Sequence, residues 1–237
     1  MAWNGTSVDY DTLYQWSIDH PERLWPALWR YFRLVADERP GRDPWDEVVV
    51  GLERMAPPDP VLGPRWFLGA RLNFAENLLR FDDDREALVS WDESGRRGAL
   101  TYAELNRAVA AVASALRAQG IRSGDRVAGF LPNIPEAIVA MLATASLGAI
   151  WSSCSPDFGV KGVLDRFGQI TPRVLFAADG YRYGGKEIDS LERVREIVDQ
   201  LPSIESVVVI PWLRPAPVFG AIRAAVGWGD FTRSQAT

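Results

Sequence analysis

A single cysteine, Cys154, and a single histidine, His20, remove several chemistries at once. One cysteine forms no internal disulfide, and one of each cannot build a tetrahedral Cys/His zinc site. His20 sits beside Pro21, far in sequence from Cys154, so a Cys/His or Ser/His dyad exists only if the fold carries it across the chain. Cys154 lies in the apolar stretch Gly148-Ala-Ile-Trp-Ser-Ser-Cys and reads as a small buried residue. Positive charge is also short. The chain has 26 Lys and Arg against 31 Asp and Glu, a net charge of −5, which leaves no electrostatic footprint for nucleic acid or an anionic membrane. No apolar run reaches the ~20 residues that span a bilayer. The opening Met1-Ala-Trp-Asn-Gly does not resemble a secretory leader. The expectation is a cytoplasmic protein with neither nucleic acid nor membrane as partner.

The common nucleotide fingerprints are missing as well. No Gly-x-Gly-x-x-Gly follows an apolar strand run, which removes the main support for a dinucleotide oxidoreductase. Gly184-Gly185-Lys186 is followed by Glu187, an acid where a phosphate loop needs a hydroxyl for magnesium. No Gly-x-Ser-x-Gly elbow occurs. The acidic run Asp82-Asp-Asp84 beside Arg85 reads as solvated rather than metal-binding.

Aromatics are plentiful at the start: six of the ten tryptophans, Trp3, Trp16, Trp25, Trp29, Trp45 and Trp66, precede Leu72. Pro21 suits the first turn of a helix whose apolar face would be Leu24, Leu28, Tyr31 and Val35. An irregular linker is expected from Pro40 to Pro64, with Pro44, Pro57, Pro58 and Pro60 inside it. Residues 1–80 thus read as a helical, aromatic-rich segment, and 81–237 as the start of a second domain. Ala87–Trp91 and Ala99–Tyr102, joined by Asp92-Glu-Ser-Gly95, read as a hairpin.

From Thr101 the chain becomes periodic. Thr101 and Glu104 form a capping box before the apolar face Leu105, Val109, Val112 and Leu116, and Gly120 ends the helix. Strands are expected at 126–131, 149–153, 174–177 and 207–210. Between them lie a helix capped by Asn133 and Glu136 with Ile138, Met141 and Leu142 inside, a helix faced by Val163 and Phe167 and stopped by Pro172, and a helix capped by Asp189 and Glu192. Such alternation predicts an α/β fold, a doubly wound parallel sheet. Past Trp212 the pattern decays and the sheet looks incomplete. Ligands of such sheets bind beyond the carboxyl ends of the strands, which singles out the loops 132–135, 154–159 and 179–186.

Several stretches resemble the adenylate-forming acyl-CoA synthetases. Trp66-Phe-Leu-Gly-Ala-Arg-Leu-Asn-Phe-Ala-Glu-Asn-Leu-Leu79 is similar to the lead-in of acetate- and acetoacetate-type CoA ligases, and Gly124-Asp-Arg-Val-Ala-Gly-Phe-Leu-Pro-Asn133 to the opening of the wider fold. Ile150-Trp-Ser-Ser-Cys-Ser-Pro-Asp-Phe-Gly159 resembles the acetoacetate type in particular. The resemblance implies a two-step ligase that uses ATP, Mg2+ and CoA, with acetoacetate or another short carboxylic acid such as acetate or propionate as substrate. It also implies a chain that stops before the family's Gly-rich ATP loop and is inactive alone, with no catalytic or metal-binding residue within it. The nucleotide end of CoA would be met by Arg182 and Lys186, and the loop carrying Ser155 and Asp157, ahead of a helix starting near Phe158, would face the same ligand. The alternatives are two solvated charges on a glycine-rich loop, with Asp157 as a helix cap, and, for the whole chain, a CoA- or nucleotide-binding domain without chemistry.

Overall fold

The computed structural model describes residues 2–3, 6–7, 9–54 and 63–233. Two compact units divide the chain, Met1–Asn73 and Phe74–Thr237.

The first unit opens with a two-stranded antiparallel ribbon, β1 (Ala2–Trp3) and β2 (Thr6–Ser7), followed by α1 (Tyr10–Asp19) and α2 (Pro21–Phe32). Asp9 caps α1, its Oδ1 accepting the Thr12 N–H at 2.8 Å. Pro21 occupies the first turn of α2, where a missing N–H costs nothing, and Arg33 ends the helix in a left-handed conformation at φ 50°. The expected apolar face is displaced: Tyr31 and Val35 are exposed, Val35 lies beyond the helix, and Pro26 and Trp29 are the buried residues. The reason is aromatic packing. Trp29 meets Trp45 and Phe67 with ring centroids 5.1 and 4.8 Å away, and burying these large rings turns the Trp29 side of the helix inward. The linker is also less irregular than its prolines suggest, since β3 (Glu47–Val50) pairs antiparallel with β4 (Arg65–Leu68). Pro57, Pro58 and Pro60 lie outside the described residues.

In the second unit a short α3 (Phe74–Leu78) precedes the hairpin β5 (Glu86–Asp92) and β6 (Gly95–Thr101). The capping box then starts α4 (Tyr102–Ala118): Glu104 N–H donates to Thr101 Oγ1 at 3.2 Å, and Thr101 N–H to Glu104 Oε2 at 2.9 Å. Leu105, Val109, Val112 and Leu116 are buried, as their spacing requires. The alternation continues through β7 (Arg126–Phe130), α5 (Pro135–Ser146), β8 (Ile150–Cys154), α6 (Val160–Ile170), β9 (Val174–Ala178), β10 (Gly180–Tyr183), β11 (Lys186–Asp189), α7 (Leu191–Gln200) and β12 (Ser206–Ile210). It closes with β13 (Ala225–Gly227) and α8 (Trp228–Arg233).

The main sheet has five parallel strands in the order β13-β12-β9-β7-β8. The four expected strands are all there and all parallel; the fifth, β13, fills the region where the pattern had decayed. Residues alternate between the two faces, so each strand feeds two cores. Val127, Phe176, Val208 and Ile210 pack with α4, α5 and α8, whereas Ala128, Phe130, Leu175, Ala177, Val207 and Val209 pack with α6 and α7. That division is the doubly wound architecture in side-chain terms.

Two expected caps, and the alternative cap by Asp157, differ. Ile134, not Asn133, is the N-cap of α5, with Pro135 at the first position; the proline already removes one donor that a side chain would have had to satisfy. The buried face of α5 is Val139, Ala140, Leu142 and Ala143, and Ile138 points outward. Ser190, not Asp189, is the N-cap of α7, although Asp189 Oδ1 does accept the Leu191 N–H at 2.8 Å. α6 begins at Val160 behind Gly159, with no side-chain cap, so Asp157 does not cap it. Finally, the expected loop 179–186 is mostly the antiparallel hairpin β10–β11.

At the amino ends of the strands Arg173 bridges Asp125 at 2.9 Å and Glu205 at 2.8 Å. The Arg122 N–H, then the Arg173 guanidinium, hold the Asp125 carboxyl below the usual carboxylate range.

Candidate functional site

Because the five strands are parallel, the segments that leave their carboxyl ends share one rim. The chain passes from β7 through α5 on one face to β8, then back through α6 on the other face to β9 on the far side of β7. The strand order therefore reverses between β7 and β9, and the crevice at such a switch is where doubly wound sheets hold ligands.

Asp179, the first residue after β9, is fully buried. Its Oδ1 accepts the N–H groups of Trp212 and Leu213 at 2.7 and 2.8 Å, and Oδ2 accepts that of Arg214 at 2.9 Å. Three consecutive amides thus satisfy one carboxylate, and the segment after β12 is tied to the end of β9. Gly180 follows because nothing larger fits: a Cβ there would lie 2.4 Å from both the Ile188 carbonyl oxygen and Leu213 Cδ1.

The hairpin β10–β11 turns through Gly184 and Gly185, at φ 59° and 71°. Two successive positive φ values are what a two-residue turn matched to strand twist requires, and glycine supplies them without strain. Arg182 pairs across the ladder with Glu187, Nη2 to Oε1 at 2.7 Å. Lys186 pairs in register with Tyr183, so its side chain leaves the opposite face of the hairpin from Arg182. The Lys186 side chain is exposed and has no hydrogen-bond or ion-pair partner among the described residues.

The turn between β5 and β6 reaches this hairpin. Glu93 accepts the Gly184 N–H with Oε1 and the Gly185 N–H with Oε2, both at 2.7 Å. Next to it, the Asp92 carboxyl is held below its ordinary range by the Ser94 hydroxyl and amide, with the positive charges of Arg97 and Arg182 adding to the effect.

In the loop after β8, Ser155 Oγ donates to Asp157 Oδ2 at 3.0 Å. Arg193, from α7, joins this loop to the hairpin: its Nη1 donates to the Pro156 carbonyl at 2.8 Å and its guanidinium lies 5.7 Å from the Tyr181 ring centre. The segments carrying Ser155 and Asp157 on one side and Arg182 on the other therefore share a structural link that sequence spacing could not reveal. Burial pushes the Cys154 thiol up, away from the thiolate a nucleophile needs.

On the opposite face of the rim, a cavity of about 310 Å³ is lined by Arg97, Leu100, Trp212 and Trp228 and by Glu136 in the first turn of α5. Burial pushes the Glu136 carboxyl up, and its Oε2 has no hydrogen-bond partner among the described residues. The sequence pattern does not point to Glu93, Glu136 or Arg193 as site residues, and it includes Asp179 only as the first residue of the loop 179–186; the Gly-Gly turn is the local signal it does offer.

The doubly wound sheet is of the α/β class, and within it the chain belongs to the AMP-binding enzyme family, whose model matches residues 74–224. Residues 10–78 match the acetyl-coenzyme A synthetase N-terminus. The acetoacetyl-CoA synthetase of Gallus gallus is 44% identical over 87% of this chain, which spans 30% of that relative. The malonamoyl-CoA synthetase of Penicillium aethiopicum is also 44% identical, over 85% of this chain and 27% of its own length. Among solved structures, the acetoacetyl-CoA synthetase from Streptomyces lividans superposes with a TM-score of 0.81 at 41% identity, covering 98% of this chain and 34% of that one. The chain therefore spans about 30% of the length of the curated relatives it matches.

Proposed function

We propose that the chain is part of an ATP-dependent ligase that joins acetoacetate to CoA. In the first step a carboxylate oxygen attacks the α-phosphorus of ATP and pyrophosphate leaves; in the second the CoA sulfur attacks the acyl carbon and AMP leaves. The observation that carries this reading is the 44% identity with an acetoacetyl-CoA synthetase over 87% of the chain. Acetoacetate and malonamate both carry a carbonyl one methylene away from the carboxylate, so the equal identity of the malonamoyl relative favours 3-carbonyl acids over plain acetate or propionate. Pyrophosphate release from ATP should be faster with acetoacetate than with acetate, assayed on the longest polypeptide the gene encodes; the reverse order would move the acid to the acetate type.

Within this chain the role we assign is to hold the nucleotide end of CoA. Arg182 supplies the charge-assisted contact to phosphate, and Lys186, leaving the other face of the hairpin, adds a screened attraction. Ser155 and Asp157 shape the neighbouring loop, which Arg193 fastens to the hairpin. Among the described residues no group of three or more His, Cys, Asp or Glu could hold a metal ion, so no step is assigned to Mg2+ on these residues. No helix among them is long and apolar enough to cross a membrane; a cytoplasmic location belongs to the same proposal, supported by the free thiol of Cys154.

Arg182→Ala should weaken CoA binding to the chain by about tenfold to a hundredfold, the equivalent of the roughly 1.5–3 kcal/mol that a charged hydrogen bond contributes. Equilibrium titration with CoA and with CoA lacking its 3′-phosphate checks this. Unchanged CoA affinity would return Arg182 to the solvated surface.

A further inference from the structure

Two carboxylates on this rim cap consecutive backbone N–H groups, and they differ in burial. Asp179 is fully buried, and the segment 212–214 cannot leave it without exposing unpaired donors. Glu93 is exposed and meets its two amides at the protein surface. A pair of glycine amides in left-handed conformation makes a concave N–H site of the type that takes phosphate oxygens. Arg182 stands on the same hairpin and raises the positive potential at neighbouring Asp92. Anion-seeking donors and an exchangeable carboxylate are thus already joined at one junction.

We propose that Glu93 is a resident competitor at this site, its carboxylate occupying the Gly184–Gly185 amides that would otherwise bind a phosphate ester. The inference rests on the reading of this hairpin as a CoA-facing element only for the identity of the ester; the competition itself follows from the geometry. A site that is free for only a fraction of the time binds its ligand more weakly by that fraction. If Glu93 holds the amides for about nine-tenths of the time, removing it strengthens anion binding on the order of tenfold. A purely structural clamp has the opposite sign, because loosening the hairpin tip disorders the amides and weakens binding.

The experiment is an amide-resolved NMR titration of the labelled chain with inorganic phosphate, following Gly184 and Gly185 in wild type, Glu93→Gln and Glu93→Ala. Retained dispersion of the other amides certifies the fold of each variant. Both glycine amides should shift saturably, with the apparent dissociation constant lowered about threefold to tenfold in both variants. An unchanged or raised constant in both, or the lack of any saturable shift at these amides in either, overturns the proposal. A parallel titration with CoA separates the two readings. CoA shifting the same amides more strongly in Glu93→Gln supports both; phosphate behaving as expected while CoA leaves Gly184 and Gly185 unmoved upholds the competitor and removes the CoA assignment.

Discussion

Asp179→Ala should cost the second unit about 3 kcal/mol or more, one of the two largest losses expected of any single substitution here. The side chain accepts three amide hydrogen bonds, and bonds to a charged group contribute about 1.5–3 kcal/mol each, net of exchange with water, although water admitted in the variant can compensate for some of that loss. Compensation is partial, because Arg214 is exposed whereas Trp212 and Leu213 are half-buried, so only part of the row can turn to water. Denaturation in urea measures the total, and amide hydrogen exchange at 212–214 locates it. Asp179→Asn should lose roughly half as much, since the amide keeps one acceptor oxygen but turns an NH2 group toward the row. A loss below about 1 kcal/mol for the alanine variant would show that the segment after β12 does not depend on this carboxylate.

Phe176→Ala should be as damaging for a different reason. Phe176 is fully buried in the central strand β9, and its ring lies 6.1 Å from that of Trp151, 6.0 Å from Trp228 and 5.7 Å from Phe231. Truncation removes transfer free energy and opens a cavity among large rings that have little room to relax, about 3–5 kcal/mol for a buried phenylalanine. Against a typical total of about 5–15 kcal/mol, that is a large share of the domain's stability. Phe176→Leu should lose about a third of this. Equal midpoints for wild type and Phe176→Ala in thermal and urea unfolding would refute the packing account.

These two positions differ in how far the sequence discloses them. Phe176 sits in Val-Leu-Phe-Ala-Ala, an apolar run bounded by polar residues, and such a run reads as a buried strand without further help. Thr101 with Glu104 is equally plain, because a capping box is a local pattern with a local cause. Asp179 carries no such mark: its partners lie 33 to 35 residues onward, and only the packing of β12 beside β9 delivers them. Glu93 meets amides 91 and 92 residues away, again through tertiary placement alone.

Other misreadings have local causes. α5 is rich in alanine and apolar nearly all round, so its period does not say which side faces the sheet, and Ile138 is taken for Val139. β13 has three residues, all half-buried, too few to show a period. The hairpin β10–β11 is largely polar, yet Gly184-Gly185 between Tyr-Arg-Tyr and Lys-Glu-Ile was a legible two-residue turn. On α2 the aromatic trio outweighs an aliphatic stripe that the spacing alone would favour.

The strand order has a consequence for how the sheet is made during synthesis. β8 pairs with β7, β9 with β7, β12 with β9 and β13 with β12. Each strand that leaves the ribosome after β7 finds its template already made, and none has to wait for a partner still to be translated. The loops to be closed are short-range βαβ steps, the largest being the return from β8 to the free side of β7. Such a sheet grows in the direction of translation from one edge only: after β8 is in place, each new strand covers the one added before it or the free side of β7, while β8 stays the other edge among the described residues.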